Sequence, residues 1–544
     1  MRTKVQDGVF LIFVLALFAL VFNRIHYGVD LTDEAYSNAI PYRFALGDTP
    51  FMDEVSPQQT SSFLLFPIIK IYTLLFGTES LILFMRYMYL LFAAMVAWII
   101  HQTIRERVGE KTSLLISLLV VLYAPFGAIF FNYNRLAFLM FSAGCFVGVL
   151  RRDRIFWSGV LHGLTMIAYP FFALPCAAFF LIQVLRDRSF KNVQYVYGAL
   201  IPLSAFLLIV LWIGFDKLLE IMWSLRTGIH GGGIEKVNRL VLGIWNQIQY
   251  KELILLYCLG VFTLFRRYKQ ASLALVLVFL IPFLALKFPS PAAPSWYFIV
   301  YGLFAPYLML FVNREDAFLR SMFWGIWVPS FVAGMTTGFI SAAGPVSFGI
   351  GIVPGVLVTS ILLVSILREE TSALHRHISV FVPASILIIL LVFQYSFVYS
   401  EGNYSKLTET IESGPYRGLH TSVQKKQYLN SIIRDFDQFK LDHGKVLFFD
   451  FFPAGYLFTT MKPASNAVWL LSPEQFNTDR NLTLRYYENR SNLPDVAVKI
   501  HMIYIFTGGT QELEYAEDDA LVAFVEKVNS EVYNGEYCDI YYDQ

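Results

Sequence analysis

The sequence predicts a polytopic α-helical membrane protein of about 13 transmembrane helices, with an outer-face juxtamembrane loop and a C-terminal soluble α/β domain. Three observations predict it. Of the 544 residues, 56% are hydrophobic and 17% aromatic, and the mean hydropathy is +0.54, whereas soluble domains are about 45–50% apolar. Apolar runs of spanning length recur as far as Tyr399. Basic residues collect in the short loops between those runs, as cytoplasmic loops of membrane proteins do. The formal net charge of +1 argues against a nucleic-acid partner.

The first run, 8–26, has Arg2 and Lys4 before it and no small-residue cleavage site ahead of Asn23-Arg24, so it reads as a retained span. Further runs lie at 80–102, 112–130, 136–150, 155–169, 171–185, 193–214, 251–265, 270–286, 295–312, 320–340, 346–367 and 378–398. The basic loops are Arg2/Lys4, Arg105/Arg107/Lys111, Arg151/Arg152/Arg154, Arg186/Arg188/Lys191, Arg266/Arg267/Lys269, Arg314/Arg320 and Arg368/Arg376. All are cytoplasmic together only if one span separates the 29–60 loop from Arg105. Two runs compete for that place, 61–77 and 80–102. Pro67 and Lys70 interrupt the first, and a central lysine is costly in lipid. The 61–77 run is therefore expected to be an interfacial or re-entrant helix on the outer face.

The N-terminus is then cytoplasmic. The first loop (27–79), 131–135, 215–250, 287–294 and 341–347 share the outer face. After Tyr399 the composition turns polar. Val446–Asp450, Val496–Ile500, Met502–Phe506 and Cys538–Tyr542 read as strands, and Ala454–Thr460 and Asp518–Asn529 as helices. The chain is thus expected to divide into a transmembrane domain, 1–399, and an extracytoplasmic α/β domain, 400–544. The expected location is a bacterial inner membrane. Cys145, Cys176 and Cys258 fall in apolar runs and Cys538 stands apart, which gives neither metal-ligand spacing nor a disulfide framework.

The chemistry concentrates between Val29 and Pro67. Two adjacent acid pairs, Asp33-Glu34 and Asp53-Glu54, sit in a loop held at the membrane face. Thr32 is the expected N-cap of a short helix starting at Asp33. On pattern alone these acids are as well explained as cap and first-turn charges. The second pair tilts the reading to general-base work, because burial raises a carboxylate's proton affinity into a useful range. Arg86 lies inside a span, where an ionisable residue is a functional hypothesis by default. It can pair with a first-loop acid or snorkel to the surface.

These residues carry a resemblance. A first span, then Asp33-Glu34, an amphipathic helix, Gly47-Asp48, Phe51-Met52-Asp53, Pro57 and Leu75-Phe76-Gly77 followed by Arg86 resembles the multi-spanning C-type glycosyltransferase superfamily. The pattern is similar to that of protein O-mannosyltransferases and of bacterial aminoarabinose and related lipid-linked sugar transferases. The likeness extends over residues 1–315 in layout and is specific in the first loop.

It implies an inverting transfer of a sugar from a polyprenyl-phosphate donor to an acceptor hydroxyl at the outer membrane face. Asp33 would be the base, Asp53 or Glu54 the second loop acid, and Glu34 belongs to the same catalytic set. The leaving phosphate needs cations. The candidates are Arg135, Arg226, His230, Lys236, Lys287 and Arg86, with Arg226–Gly233 as a Gly-rich loop able to close over a head group. Tyr133, Asn134 and Tyr297 complete the expected substrate pocket. The partners implied are the lipid-linked sugar, an acceptor glycan, lipid or protein, and membrane lipids.

Two departures stand out. Pro57 follows Asp53 only after Glu-Val-Ser, and Tyr133-Asn134-Arg135 stands where many relatives carry an acid. An asparagine supplies no charge to a metal bridging two carboxylates, so a divalent metal is left open and no cofactor is assigned. A transporter or flippase of lipid-linked saccharides would place charge mid-membrane and show two similar halves. A glycan polymerase or ligase would use basic residues in large outer loops. Here charge collects in one acidic loop and no halves repeat.

Overall fold

The computed structural model describes residues 2–56, 58–186, 191–214, 242, 292–313, 315–341, 343–368, 373–439, 444–449, 452–469, 480–504, 510–513 and 519–543. Its first nine helices are α1 (Arg2–Arg24), α2 (Asp33–Ala45), α3 (Gln59–Phe76), α4 (Leu81–Val108), α5 (Glu110–Leu122), α6 (Tyr133–Leu150), α7 (Ile155–Ala168), α8 (Ala173–Arg186) and α9 (Lys191–Ile213). Then follow α10 (Ala293–Gly302), α11 (Ala305–Met309), α12 (Ala317–Ile340), α13 (Gly344–Gly351), α14 (Val353–Arg368) and α15 (Ala373–Ser396).

Among the described residues, seven helices are long and apolar enough to cross a membrane: α1, α3, α4, α6, α9, α12 and α15. The count is eight if α13 and α14, bent by 57°, form one span. The chain is an integral multi-pass membrane protein. The expected thirteen spans are not all counted among the described residues. Two expected runs, 251–265 and 270–286, lie outside the described residues. Others are shorter than their apolar runs. The helix of 112–130 stops at Leu122 because Pro125 and Gly127 follow, with Gly127 at φ +74. The 155–169 helix stops before Pro170.

The 61–77 run, expected as an interfacial or re-entrant helix, is helical. It forms α3, an 18-residue helix that qualifies as a span by length and composition. The lysine that argued against this is provided for: Lys70 Nζ donates to the Ala45 carbonyl at the end of α2, where a cation also meets the helix dipole.

Polar side chains lock the start of the first loop to the bundle. Arg24, 2% exposed, donates to the carbonyls of Gln394 (2.6 Å) and Gly127 (2.9 Å). The residues after Tyr399 fold back onto that loop. Strands β1 (Glu409–Thr410) and β2 (His420–Thr421) pair antiparallel, and α16 (Val423–Phe439) follows. Next come β3 (Lys445–Phe448), β4 (Lys462–Pro463), α17 (Arg480–Tyr486), β5 (Val496–Ile500), β6 (Met502–Tyr504), β7 (Thr510–Glu512), α18 (Ala520–Val528), β8 (Glu531–Asn534) and β9 (Cys538–Tyr542).

Five of these strands form one sheet in the order β4-β3-β5-β9-β8. β3 runs parallel to β4 and β5, and β9 antiparallel to β5 and β8. Val446 faces Val496 and Val498 faces Ile540 in register. This places apolar side chains together on the buried sheet. A 3-10 helix, Pro453–Leu457, stands where a helix is expected over Ala454–Thr460.

The segment from Phe452 to Trp469 lies on α2 and the following turn. Ala454 N donates to Leu31 O, Tyr42 Oη to Thr459 O (3.1 Å), and Val55 N to Asn466 O (2.8 Å). The first loop is therefore enclosed between the bundle and the C-terminal sheet.

Candidate active site

The loop begins with Asp30, which does the work expected of Thr32. Thr32 makes no side-chain cap. Asp30 Oδ2 accepts from Glu34 N at 2.6 Å, and Oδ1 accepts from Thr32 N, Thr32 Oγ1 and Ser400 Oγ. A side-chain oxygen two residues earlier satisfies the free amides at the start of α2, so Thr32 is not needed there.

Glu34 is completely buried. Arg86 grips it with two parallel bonds, Nε to Oε1 at 2.7 Å and Nη2 to Oε2 at 2.6 Å. The remaining guanidinium hydrogens go to the carbonyls of Ile25, Tyr27 and Gly28. All five donors of Arg86 are thereby committed. Of the two readings from sequence, pairing with a first-loop acid is the one realised. The same geometry leaves Arg86 no donor for a phosphate and leaves Glu34 no free oxygen for a proton.

Asp33 points the other way and is half-buried. Its Oδ2 accepts the hydroxyl hydrogen of Tyr399. Among the described residues nothing donates to Oδ1. Burial, then the neighbouring Asp30 carboxylate, pushes the Asp33 carboxyl up to about 6, against the Tyr399 hydrogen bond that pulls it down. A carboxylate of that proton affinity is poised to accept a proton near neutral pH.

The second acid pair is bound into the structure. Glu54 is fully buried. Its Oε2 pairs with Arg43 Nη1 (3.2 Å) and accepts from Val468 N (3.1 Å), and its Oε1 accepts from Ser56 N and Oγ. Arg43 also holds Asp48 at 2.7 Å and donates to Ser465 O. Asp53 accepts from Thr49 N (2.7 Å) on one oxygen and from Tyr486 Oη (2.9 Å) on the other.

Arg135 enters from the start of α6, where Asn132 caps the helix by accepting from Arg135 N. Its side chain is 2% exposed. It lies over the rings of Phe130 (5.2 Å) and Tyr89 (5.5 Å). One nitrogen, Nη2, reaches Pro125 O at 3.3 Å, and Nη1 is buried with no partner among the described residues. Its charge is felt at Glu34 and Tyr399. A buried, under-satisfied guanidinium is a costly arrangement and a natural anion receptor.

Tyr133 and Asn134, both half-buried, stand beside it, and Tyr133 lies within electrostatic reach of Asp33. Tyr36 donates to Gln58 Oε1 (2.8 Å) and meets the Trp469 ring edge-on at 5.1 Å. Tyr297 is buried on α10, its hydroxyl without a partner among the described residues, and it stacks parallel to Tyr301 at 6.2 Å. None of the interactions described here joins it to Asp33 or Arg135. Arg226, His230, Lys236 and Lys287 lie outside the described residues.

Asp30, Tyr399, Gln58 and Trp469 were not singled out by sequence. Asp30 had a signal: an acid three residues before another at a helix start. Tyr399 and Trp469 had none, because only the tertiary fold brings them to α2. As for a divalent metal, no group of three or more His, Cys, Asp or Glu among the described residues is arranged to hold one. Asn134 supplies no charge, and Glu34 and Glu54 are taken by arginines. The described residues do not fit a bridging metal.

No protein-family model matches the chain, and no curated protein matches it by sequence. Among solved structures it is similar to the crystal structure of ArnT from Cupriavidus metallidurans bound to undecaprenyl phosphate. Identity is 12%, 98% of each chain is covered, and the TM-score is 0.48. The apo-state crystal structure of ArnT from the same organism is 14% identical, covers 99% of this chain and 98% of that one, and gives a TM-score of 0.37.

Proposed function

We propose that this protein is an inverting glycosyltransferase that moves a sugar from a polyprenyl-phosphate donor to an acceptor hydroxyl, with Asp33 as general base. One observation carries the reading. Of the four acids in the two pairs, Asp33 alone keeps a carboxylate oxygen that no group among the described residues engages, and its carboxyl is pushed up to about 6.

The Asp33 carboxylate takes the acceptor's hydroxyl proton. The acceptor oxygen attacks the anomeric carbon as the bond to the phosphate oxygen breaks. The phosphate leaves as an anion beside Arg135, whose Nη1 has no partner among the described residues. Stabilising charge as it develops on the leaving group is what such a preorganised cation supplies. Arg226, His230, Lys236 and Lys287 remain further candidates for the same phosphate. The site belongs at the outer face of a bacterial inner membrane, with the N-terminus cytoplasmic, thirteen spans over 1–399 and residues 400–544 as an extracytoplasmic α/β domain above it.

The test uses purified full-length protein in lipid vesicles, a synthetic polyprenyl-phosphate sugar, and native membrane extract as the source of acceptors. Release of free polyprenyl phosphate is measured. Asp33→Asn is expected to lower the rate about 10²- to 10⁴-fold, the usual contribution of a positioned general base, with the fold intact. An Asp33→Asn protein that still moves donor across vesicles, from a parent that releases no phosphate, would mark a transporter.

A further inference from the structure

The hydroxyl that touches Asp33 is delivered by an unusually constrained stretch of chain. Tyr399 follows α15, far in sequence from α2. The backbone around it is fixed on several sides. Gly127 and Gly28, both at positive φ, lie so close to Phe397 O and the Val398 side chain that neither position has room for a Cβ. Ser400 holds φ +58, a left-handed conformation that a non-glycine residue keeps only when its surroundings impose it. Those surroundings are visible. Ser400 Oγ donates to Asp30 Oδ1 at 2.9 Å, and its carbonyl accepts from the buried Lys425 Nζ at 2.8 Å. The ring of Phe130 packs edge-on against the Tyr399 ring at 5.8 Å.

We propose that Tyr399 is a positioning residue for this site: its hydroxyl holds Oδ2 of Asp33 and leaves Oδ1 turned to the acceptor. The proposal rests on the reading of Asp33 as the base. Donation from a phenol favours the carboxylate form, so Tyr399 also offsets part of the effect of burial and of Asp30. The other charged and titratable groups around Asp33 are known by element. They are Asp30 just before α2, Glu34 and Tyr36 on α2, Arg86 on α4, and Tyr133 and Arg135 on α6. Without the phenol hydrogen, Asp33 keeps its proton to higher pH.

The experiment follows polyprenyl-phosphate release against pH for the parent, Tyr399→Phe, and a protein carrying 3-fluorotyrosine at 399. Tyr399→Phe is expected to lower the maximal rate about tenfold and to move the acidic limb up by about one pH unit, as loss of one hydrogen bond to the charged form does. 3-Fluorotyrosine, a stronger donor of nearly the same shape, is expected to move the limb down. It decides the matter alone should the Phe protein not fold. A limb that stays in place in the folded variants overturns the proposal whatever happens to the rate, because a merely structural tyrosine would leave it there. Asp33→Asn separates the two claims. If that variant keeps its rate, the base reading fails and Tyr399's role with it. If it loses the rate while the limb ignores residue 399, only the positioning role fails.

Discussion

In both acid pairs of the first loop the glutamate is fully buried on an arginine and the aspartate takes a tyrosine hydroxyl. Glu34 sits on Arg86 with Asp33 under Tyr399, and Glu54 sits on Arg43 with Asp53 under Tyr486. The difference lies in the second oxygen of each aspartate. Asp53 gives it to Thr49 N, closing a turn. Asp33 gives it to no group among the described residues. The comparison teaches that sequence adjacency of two acids says little about their roles. Within each pair one carboxylate supports the loop, and only in the first pair is the other left available.

The largest test of that contrast is kinetic. Asp33→Asn is expected to cost about 10²- to 10⁴-fold in rate, while Asp53→Asn, whose amide oxygen can accept from Thr49 N while its amide nitrogen donates to Tyr486 Oη, stays within about tenfold of the parent. Equal losses at the two positions would erase the distinction.

Next comes stability. Arg86→Met leaves Glu34 charged, buried and alone, and is expected to destabilise the fold by about 3–5 kcal/mol, read as a lower melting temperature in detergent. Glu34→Gln, which keeps the shape and one acceptor, should cost less. If Arg86→Met melts with the parent, the buried pair is not what holds the loop.

A smaller effect falls on the donor. Arg135→Gln removes the charge while keeping a polar side chain. It is expected to raise the KM for the prenyl-phosphate sugar about 10- to 100-fold, the worth of one or two charge-assisted hydrogen bonds. A change confined to acceptor KM would place the phosphate elsewhere.

The smallest prediction concerns Asp33 as a source of strain. Its carboxyl is raised from 3.8 to about 6 in the fold. Ionising it is therefore harder folded than unfolded. That penalty is absent below about pH 4 and fully present above about pH 6. Asp33→Asn should thus gain about 1–2 kcal/mol over the parent at pH 8 and nothing at pH 4. Chemical denaturation at the two pH values checks it, and the opposite pH trend would contradict the assigned proton affinity.

How much of this was legible in the sequence differs by element. Long apolar runs bounded by basic loops marked helices such as α1, α4, α6 and α15, because twenty apolar residues have few other stable forms in lipid. Alternating apolar residues over Val496–Ile500 and Cys538–Tyr542 marked strands. At 61–77 the sequence sets Lys70 against lipid, and it does not show that the lysine meets the carbonyl end of α2 in the fold. Asp33, Glu34 and Arg135 were found as charges near an apolar face. Their separate roles were not legible, since these depend on partners more than fifty residues away: Arg86 for Glu34 and Tyr399 for Asp33.

The late position of Tyr399 and Lys425 has a consequence for biogenesis. Val29 O, Asp30 and Asp33 all receive hydrogen bonds from residues that emerge from the ribosome only after the last helix of the bundle. The segment around residues 28–34 is therefore synthesised early but cannot settle until translation is nearly finished. A chain that stalls before α16 leaves that acidic stretch without its late partners, and so marked as incomplete.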